Sequence, residues 1–282
     1  MIRFGPAGND DSFYNEGHKA SVEAPEWLFN NGLTAYEYAF TRGVNLGEET
    51  ARAIGEAAKK FNIEISVHAP FYINFANTSE EMVEKSYKYI LDCLSKLPFL
   101  NGNRVVFHAA SQGKLNRKEA VDLTYGRIKE LVKRVKESGY KNVYLCPETM
   151  GKQAQIGTFK EIIDLCEIDE MLLPTFDFGH INALTQGSLK SKEDFLQIFN
   201  YCIDKLGYER TKKVHIHFSK IEYGAKGEIR HLTFEDEKYG PNFEPLSQAI
   251  KELGLEPVII CESAGTQAVD AKIMKNIFEK TI

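Results

Sequence analysis

The sequence lacks the features that mark several large classes of protein. Its five cysteines are an odd number and none lies in a CxxC pair, which argues against both a disulfide framework and a zinc knuckle. No apolar run approaches the roughly 20 residues of a membrane span, and the start, MIRFGPAGND, has no apolar signal region. We therefore expect a soluble, cytoplasmic protein that does not associate with a membrane.

The sequence also lacks an excess of positively charged residues. The 35 Lys and Arg residues against 40 Asp and Glu residues give a formal charge of −5. Bulk positive charge is thus excluded as a means of binding nucleic acid, although a local basic groove is not. The 43% hydrophobic and 27% charged residues are typical of a globular enzyme and exclude a disordered, collagen-like or coiled-coil chain.

What the sequence does contain is a regular alternation of short apolar runs with longer helical patterns. Eight runs are predicted as strands, with about eight helices between them, at residues 1–7, 33–40, 63–68, 104–108, 143–148, 172–178, 214–218 and 257–262. Several runs are almost continuously apolar, as expected of strands buried on both faces of a parallel sheet. Eight βα units without a composition break predict an α/β fold in which residues 1–282 form a single (β/α)8 TIM barrel. The alternative is an open doubly wound sheet, but Phe4-Gly-Pro-Ala-Gly lacks the glycine-rich phosphate turn of that fold.

Ionisable residues cluster at the predicted strand ends, where TIM barrels place their active sites. Six consecutive strands deliver such residues, and one more follows in the loop after strand seven: His68, His108, Glu148, Asp177 with His180, His215 with His217, Glu262, and the loop residue His231. Each alone is more often structural, as a hydrogen-bonded histidine or a helix cap. Together they would crowd unpaired charges into one pocket at a cost of several kcal/mol each. A bound cation would remove that cost, so we predict a metal site at the barrel mouth.

The ligand types narrow the choice of metal. Imidazole with carboxylate favours Zn²⁺, with Mn²⁺ or Fe as alternatives, over Mg²⁺ or Ca²⁺. Strand alternation points Cys261 away from Glu262 and places Cys146 one layer below Glu148, so neither thiol is expected to be a ligand. The candidates are too many for one ion. Two or three ions are therefore expected, with Glu148 as the candidate bridge between two of them.

In this order the residues resemble the endonuclease IV family, the metal-dependent apurinic/apyrimidinic endonucleases within the xylose-isomerase-like TIM barrel group. The matching segments are His68-Ala-Pro-Phe-Tyr-Ile-Asn, His108 after strand four, Pro-Glu148-Thr-Met-Gly, Asp177-Phe-Gly-His180, and Glu262 at the end of strand eight. The resemblance covers essentially the full length in strand order. The first segment and the Asp-x-x-His segment are together fairly specific, whereas either alone is weak.

The resemblance implies three zinc ions. The first would be held by His68, His108 and Glu148, and the second by Glu148, Asp177, the strand-seven histidine and Glu262. Because His215 and His217 point to the same face of the strand, the choice between them stays open. The third ion would be held by His180 and an Asp-x-His pair, whose nearest match here is Glu228-Ile-Arg-His231, one residue wider and with Glu in place of Asp.

The resemblance also implies an enzyme that hydrolyses the phosphodiester 5′ to an abasic site in double-stranded DNA. We expect the protein to be a monomer. Glu148 would orient the nucleophile, and Glu262 would be a ligand and proton acceptor. Phe71, Tyr72 and Ile73 stand where family members insert side chains into DNA, although packing of their loop is an equal alternative. The other candidates for DNA contact, each with a solvated loop as the alternative, are Arg42, Lys220, Lys226 and Arg230.

Two other functions compete. A sugar isomerase or epimerase on the same fold uses one divalent metal, and Glu148, Asp177, the strand-seven histidine and Glu262 would serve it equally well. The remaining histidines, His68, His108, His180 and His231, are surplus to such an enzyme, whereas the acidic net charge favours it. A metal-binding or regulatory barrel without activity is the third alternative, which the near-complete ligand set disfavours.

Overall fold

Eight parallel strands form a closed barrel in the computed structural model, which describes residues 1–282. They are β1 (Arg3–Pro6), β2 (Ala35–Ala39), β3 (Glu64–His68), β4 (Gly102–Phe107), β5 (Tyr144–Pro147), β6 (Thr175–Asp177), β7 (His215–Phe218) and β8 (Val258–Cys261). Hydrogen bonds join β2-β3-β4-β5 and β1-β8-β7-β6. Parallel bridges from Ala7 to Glu37 and from Glu148 to Thr175 close the two seams. The predicted TIM barrel is confirmed.

Helices on the outside of the barrel connect the strands. They span Asp11–Asn15, Ala24–Asn30, Glu48–Phe61, Glu80–Leu100, Arg117–Glu137, Phe159–Cys166, Phe178–Leu184, Lys192–Leu206, Tyr208–Thr211, Phe243–Glu252 and Gln267–Lys280. The three that the sequence pattern misses are Asp11–Asn15, Phe178–Leu184 and Tyr208–Thr211, which are too short to show a helical period. No helix has both the length and the apolar composition needed to cross a bilayer.

Two short antiparallel strand pairs lie at the carboxyl-end mouth of the barrel and were not predicted. One pairs Ala110–Ser111 with Gln155–Ile156. The other, called hairpin 221–231 below, pairs Ile221–Gly224 with Gly227–His231 in the loop after β7. Strands this short, in segments rich in polar residues, have no clear alternating pattern.

The core lies mainly between the strands and the helices, in a cluster of 59 buried residues that includes Cys261. Inside the barrel, Cys146 packs with Val106 and Leu173. A polar set, Glu37, Ser66, Arg104 and His215, is also buried in the barrel interior. The mouth above it is where the predicted ligands project.

Candidate metal centre

Nine of the ten predicted metal ligands meet at the barrel mouth, in three groups whose ligand atoms lie within 4.8 Å of one another in each group. The groups are His68, His108 and Glu148; Glu148, Asp177, His217 and Glu262; and His180, Glu228 and His231. They are the same three sets that the resemblance implies. The tenth candidate, His215, lies below them in the barrel interior.

Glu148 stands between the first two groups and is fully buried. Its Oε2 lies 3.2 Å from Nε2 of His68 and 3.1 Å from Nε2 of His108. Its Oε1 lies 3.0 Å from Nδ1 of His217. The two oxygens therefore face two different ligand sets, which is the arrangement that a carboxylate bridging two ions requires.

Asp177 ends β6 and begins the helix Phe178–Leu184. Its Oδ1 accepts a hydrogen bond of 2.7 Å from the backbone N–H of His180, so one oxygen caps the helix. Its Oδ2 is buried and has no hydrogen-bond partner. A buried acceptor without a donor is costly, and a divalent cation at this position would satisfy it. The second group therefore fits a metal ion.

Protons compensate the buried carboxylates when no cation is present. Burial alone would raise the pKa of Glu148, but the charges of His217 and His108 and their hydrogen bonds hold it well below its usual range. Burial raises the pKa of Glu262, a shift that His217 opposes and Glu148 reinforces. Burial acts to lower the pKa of His68, yet the hydrogen bond and charge of Glu148 raise it to about 9. The buried carboxylates thus favour a positive charge beside them, and a metal ion would supply it.

In the third group, the pKa of His180 is likewise set by burial and by nearby carboxylates acting in opposite directions. Burial acts to lower its pKa, but the charges of Asp177 and Glu148 raise it to about 9. Its Nε2 lies 3.5 Å from Oε2 of Glu228, and its ring centroid lies 5.4 Å from that of His231. Glu228 and His231 therefore both reach His180, although they are one residue further apart in sequence than the Asp-x-His pair.

A β-bulge explains how both residues reach the site. In a regular strand, residues three apart point to opposite faces. In hairpin 221–231, Tyr223 pairs with Glu228 and Glu222 pairs with Arg230, so Ile229 is an extra residue in the strand. Such a bulge re-aims the side chains beyond it, and it turns Glu228 and His231 to the same face. The bulge thus accommodates the one residue by which Glu228-Ile-Arg-His231 is longer than Asp-x-His.

Two glycines let hairpin 221–231 dock against the loop after β5. The N–H of Glu228 donates to the carbonyl of Gly151 at 2.8 Å. A Cβ on Gly227, whose φ is +100°, would lie 2.0 Å from that same carbonyl oxygen. A Cβ on Gly151 would lie 2.7 Å from Cβ of Glu228. The third group depends on this close backbone approach.

Three of the clustered histidines are oriented by a hydrogen bond at Nδ1. Nδ1 of His68 donates to the carbonyl of Ala69 at 2.8 Å, and Nδ1 of His180 donates to the carbonyl of Thr149 at 2.9 Å. Nδ1 of His231 lies 2.8 Å from the hydroxyl of Ser219. Each of these rings therefore turns Nε2 toward the site, as is usual for metal-binding histidines.

His217 is oriented in the opposite sense, with its Nδ1 hydrogen-bonded to Glu148 at 3.0 Å, and its other ring nitrogen lies beside a carboxylate that sequence reasoning missed. Its Nε2 lies 2.9 Å from Oε1 of Glu37, a fully buried residue of β2. His215 lies 3.0 Å from the other oxygen of Glu37, and burial lowers its pKa to about 4. His217, and not His215, therefore joins the second group. The signal for Glu37 was its place as the one charged residue in the apolar run 33–40.

The candidates for DNA contact are more scattered. Phe71 and Tyr72 are 50% and 49% exposed beside the mouth, with ring centroids 4.5 Å apart, whereas Ile73 is buried in the core. Arg42 and Lys226 are exposed. The remaining two have partners within the chain: Lys220 donates to the carbonyls of residues 234 and 236, and Arg230 pairs with Glu222. A cavity of about 290 Å³ at the mouth is lined by ligands of all three groups together with Phe71 and Lys152.

Comparison with known proteins agrees with this architecture. Residues 25–277 match the family described as xylose isomerase-like TIM barrel. The chain belongs to that family. As a xylose isomerase-like TIM barrel, it is 35% identical over 266 residues to an uncharacterized protein of Methanocaldococcus jannaschii, covering 93% of this chain and 92% of the relative. It is also 29% identical over 229 residues to a protein of Acholeplasma laidlawii named "Probable endonuclease 4", covering 74% and 76% of the two chains.

Solved structures of two kinds share this xylose isomerase-like TIM barrel. Endonuclease IV from Thermus thermophilus superimposes with a TM-score of 0.70 at 19% identity, covering 99% of each chain. A D-tagatose 3-epimerase-like protein superimposes with a TM-score of 0.70 at 21% identity, covering 99% of this chain and 97% of the other. The resemblance is confirmed at the level of the xylose isomerase-like TIM barrel family, together with a weak similarity to endonuclease IV. The fold is common to endonucleases and sugar epimerases, so the reaction has to be argued from the site.

Proposed function

We propose that the protein is a metal-dependent phosphodiesterase of the endonuclease IV type, which hydrolyses the phosphodiester 5′ to an abasic site in double-stranded DNA. The observation that carries the proposal is the presence of three ligand groups at one mouth. A sugar epimerase with one metal needs the second group alone. The first group, with His68 and His108, and the third group, with His180 and His231, are accounted for by a reaction that uses several ions.

The ligand chemistry favours Zn²⁺, with Mn²⁺ or Fe as alternatives, because imidazole and carboxylate alternate in the three groups. When bound, such ions lower the pKa of a coordinated water and neutralise phosphate oxygens. Glu148 would hold two of them in fixed relation through its two oxygens. Glu262 lines the cavity and has a raised pKa, which suits a group that takes up and returns a proton.

The rim of the mouth offers surfaces suited to damaged DNA. Phe71 and Tyr72 expose a pair of aromatic rings, and aromatic rings stack on bases. We assign them to the gap left by the missing base, with Ile73 fixing their loop from the core. Arg42, Lys152 and Lys226 are the exposed cations that we assign to backbone phosphates. Of these, Lys152 also lies 3.9 Å from Oε2 of Glu228, a longer contact than the ion pair of Arg230. Lys220 and Arg230 contribute less because Lys220 already donates to the carbonyl of residue 234 and Arg230 forms an ion pair with Glu222.

A sugar epimerase is the second candidate, and one observation favours it. The cavity of about 290 Å³ lies at the lower end of the range for small-ligand sites, which suits a monosaccharide. In this case Glu148, Asp177, His217 and Glu262 would hold the single working ion. The first and third groups would then have no role in the reaction.

The deciding experiment is cleavage of a labelled duplex that carries one tetrahydrofuran abasic analogue, with Zn²⁺ and Mn²⁺ tried separately. An undamaged duplex and the variant Glu148→Gln are the controls. We expect incision on the 5′ side of the analogue by the wild-type protein and none by the variant. Protein that holds metal but makes no incision with either ion would contradict the proposal, and ketose epimerisation would then be assayed.

A further inference from the structure

The backbone ladder between β5 and β6 ends inside the metal centre. The N–H of Thr149, just after β5, still donates to the carbonyl of Thr175 at 3.0 Å. One step further along a regular parallel ladder, the N–H of Asp177 would donate to the carbonyl of Thr149. The ladder does not continue, and the N–H of Met150 donates instead to the carbonyl of Gly157 at 2.8 Å. The backbone of Asp177 therefore needs other partners on this side.

The side chain of Thr149 supplies both of them. The N–H of Asp177 donates to Oγ1 of Thr149 at 2.8 Å, and the same hydroxyl donates to the carbonyl of Asp177 at 3.2 Å. Neither residue has exposed surface, so solvent does not serve these backbone groups. A hydroxyl can donate once and also accept, and this one does both with the backbone of a single residue. Thr149 thus replaces with a side chain what the backbone of β5 no longer provides.

The carboxylate of Asp177 depends on the position of its own backbone. Its Oδ1 accepts from the N–H of His180 at 2.7 Å, whereas its Oδ2 has no hydrogen-bond partner. Because the aspartate side chain is short, Oδ2 moves with the backbone that carries it. A metal site tolerates displacements of only about 0.2 Å in its ligand distances. A group that fixes this backbone therefore also fixes a ligand oxygen.

We propose that Thr149 is a positioning residue for the metal centre, whose hydroxyl fixes the backbone of Asp177 and thereby holds Oδ2 at the second ligand group. Both hydrogen bonds of the hydroxyl go to Asp177. The third group contacts Thr149 through its backbone carbonyl, which lies 2.9 Å from Nδ1 of His180 and is present with any side chain. The inference rests on the metal-dependent function proposed above, but not on which substrate is cleaved.

The variant Thr149→Val tests the hydroxyl at nearly constant shape. Valine keeps the branched side chain and its restricted rotamer, but it can neither donate nor accept a hydrogen bond. The N–H and carbonyl of Asp177 would then be buried without these partners, which is costly and favours a shift of this backbone. We expect one Zn²⁺ ion to bind about 10- to 100-fold more weakly, as measured by competition with a chromogenic chelator. Thr149→Ser keeps the hydroxyl and should retain the wild-type affinity.

Thr124→Val is the matched control for the loss of a buried hydroxyl. Thr124 is fully buried in the helix Arg117–Glu137, and its hydroxyl donates to the carbonyl of Ala120 at 2.7 Å. The same atoms are exchanged on the outside of the barrel, so we expect wild-type Zn²⁺ affinity. Wild-type affinity in Thr149→Val, or a loss that is equal in Thr149→Ser or in Thr124→Val, would overturn the inference, because the effect would not then belong to the hydroxyl beside Asp177.

Double variants show which ligand group the hydroxyl serves. Glu262 belongs to the second group alone, and His231 belongs to the third group alone. Thr149→Val should cause little further loss of Zn²⁺ in a Glu262→Gln background, where the second group has already lost a ligand. In a His231→Gln background its full effect should be added to that of the first change. Additive effects of Thr149→Val and Glu262→Gln would overturn the inference.

Zn²⁺ titration keeps the test valid if Thr149→Val folds only with metal. An ion that binds the folded chain stabilises it according to its affinity, so the Zn²⁺ concentration that restores the far-UV circular dichroism gives the same comparison. A requirement equal to that of Thr124→Val would overturn the inference. Wild-type protein that binds no Zn²⁺ would overturn the metal centre as well. Protein that shows the Thr149→Val effect but does not incise abasic DNA would support this inference and contradict only the proposed reaction.

Discussion

Replacing Gly227 by alanine is predicted to dismantle the third ligand group while leaving the other two in place. Gly227 begins the strand of hairpin 221–231 that carries Glu228 and His231, and it faces the carbonyl of Gly151. Both partners in this contact are backbone. The added methyl therefore meets an atom that no side-chain rotation can move.

The structure gives the size of the disturbance. The new Cβ would lie 2.0 Å from the oxygen of Gly151, whereas real Cβ atoms essentially never approach within 3.0 Å. The hairpin or the loop must then move by about 1 Å, and a metal site tolerates displacements of about 0.2 Å in its ligand distances. The φ of +100° adds strain of roughly 1 kcal/mol for a residue with a side chain. Glu228, the next residue, should lose its place beside His180.

Metal analysis of the purified variant, after dialysis against a weak chelator, is the assay. We expect one ion fewer per chain than in the wild type, with His68, Glu148 and His217 still binding the others. Gly224→Ala is the control, because its Cβ would meet only the end of the Ile229 side chain at 3.4 Å. If both variants keep the wild-type metal content, the docking of hairpin 221–231 does not hold the third group together, and the reasoning is refuted.

Three further predictions follow from the same geometry. His68 and His180 have pKa values raised to about 9 without metal, so below that pH a Zn²⁺ ion must displace protons from them in order to bind. The apparent Zn²⁺ affinity, measured by chelator competition, should therefore rise between pH 6 and 9 and then level off. An affinity that does not change with pH would contradict this prediction. Phe71→Ala should slow incision of abasic duplex without changing metal content, whereas Phe29→Ala, which removes an equally exposed ring on the helix Ala24–Asn30, should have no effect. Removal of metal by a strong chelator should lower the Tm, because the ions bind the folded chain, and Zn²⁺ should restore it; an unchanged Tm would show that the ions contribute nothing to stability.

Much of the site could be predicted because its residues follow strands whose ends are visible in the apolar pattern. His68, Glu148 and Asp177 come directly at or after such runs, and parallel strands bring their carboxyl ends to one mouth. The same periodicity could not choose between His215 and His217, since both point inward and differ only in depth. That depth is fixed by the register of β7 against β6, which pairs His217 with Asp177.

The features that sequence reasoning missed depend on contacts between distant segments. Glu37 lies in the middle of β2 rather than at its end, and its contacts with His215 and His217 form only when barrel closure brings together residues about 180 apart in sequence. The bulge at Ile229 is likewise a property of pairing between two strands. A sequence shows that Glu228 and His231 are three apart, but not that an unpaired residue between them turns both to one face.

The acidic net charge favours a sugar substrate over DNA when the sequence is taken alone. The positions of the acidic residues in the structure make this preference weaker. Glu148, Asp177, Glu228 and Glu262 all count toward the formal charge of −5, yet in this site they are candidate metal ligands rather than surface charges. Three divalent ions would add six positive charges at the mouth, more than the whole formal deficit. The local field that a phosphate meets is then set by the ions and by cations such as Lys152 and Lys226, and not by the sum over the chain. An acidic protein with this mouth is therefore compatible with a polyanionic substrate, provided that all three groups are loaded.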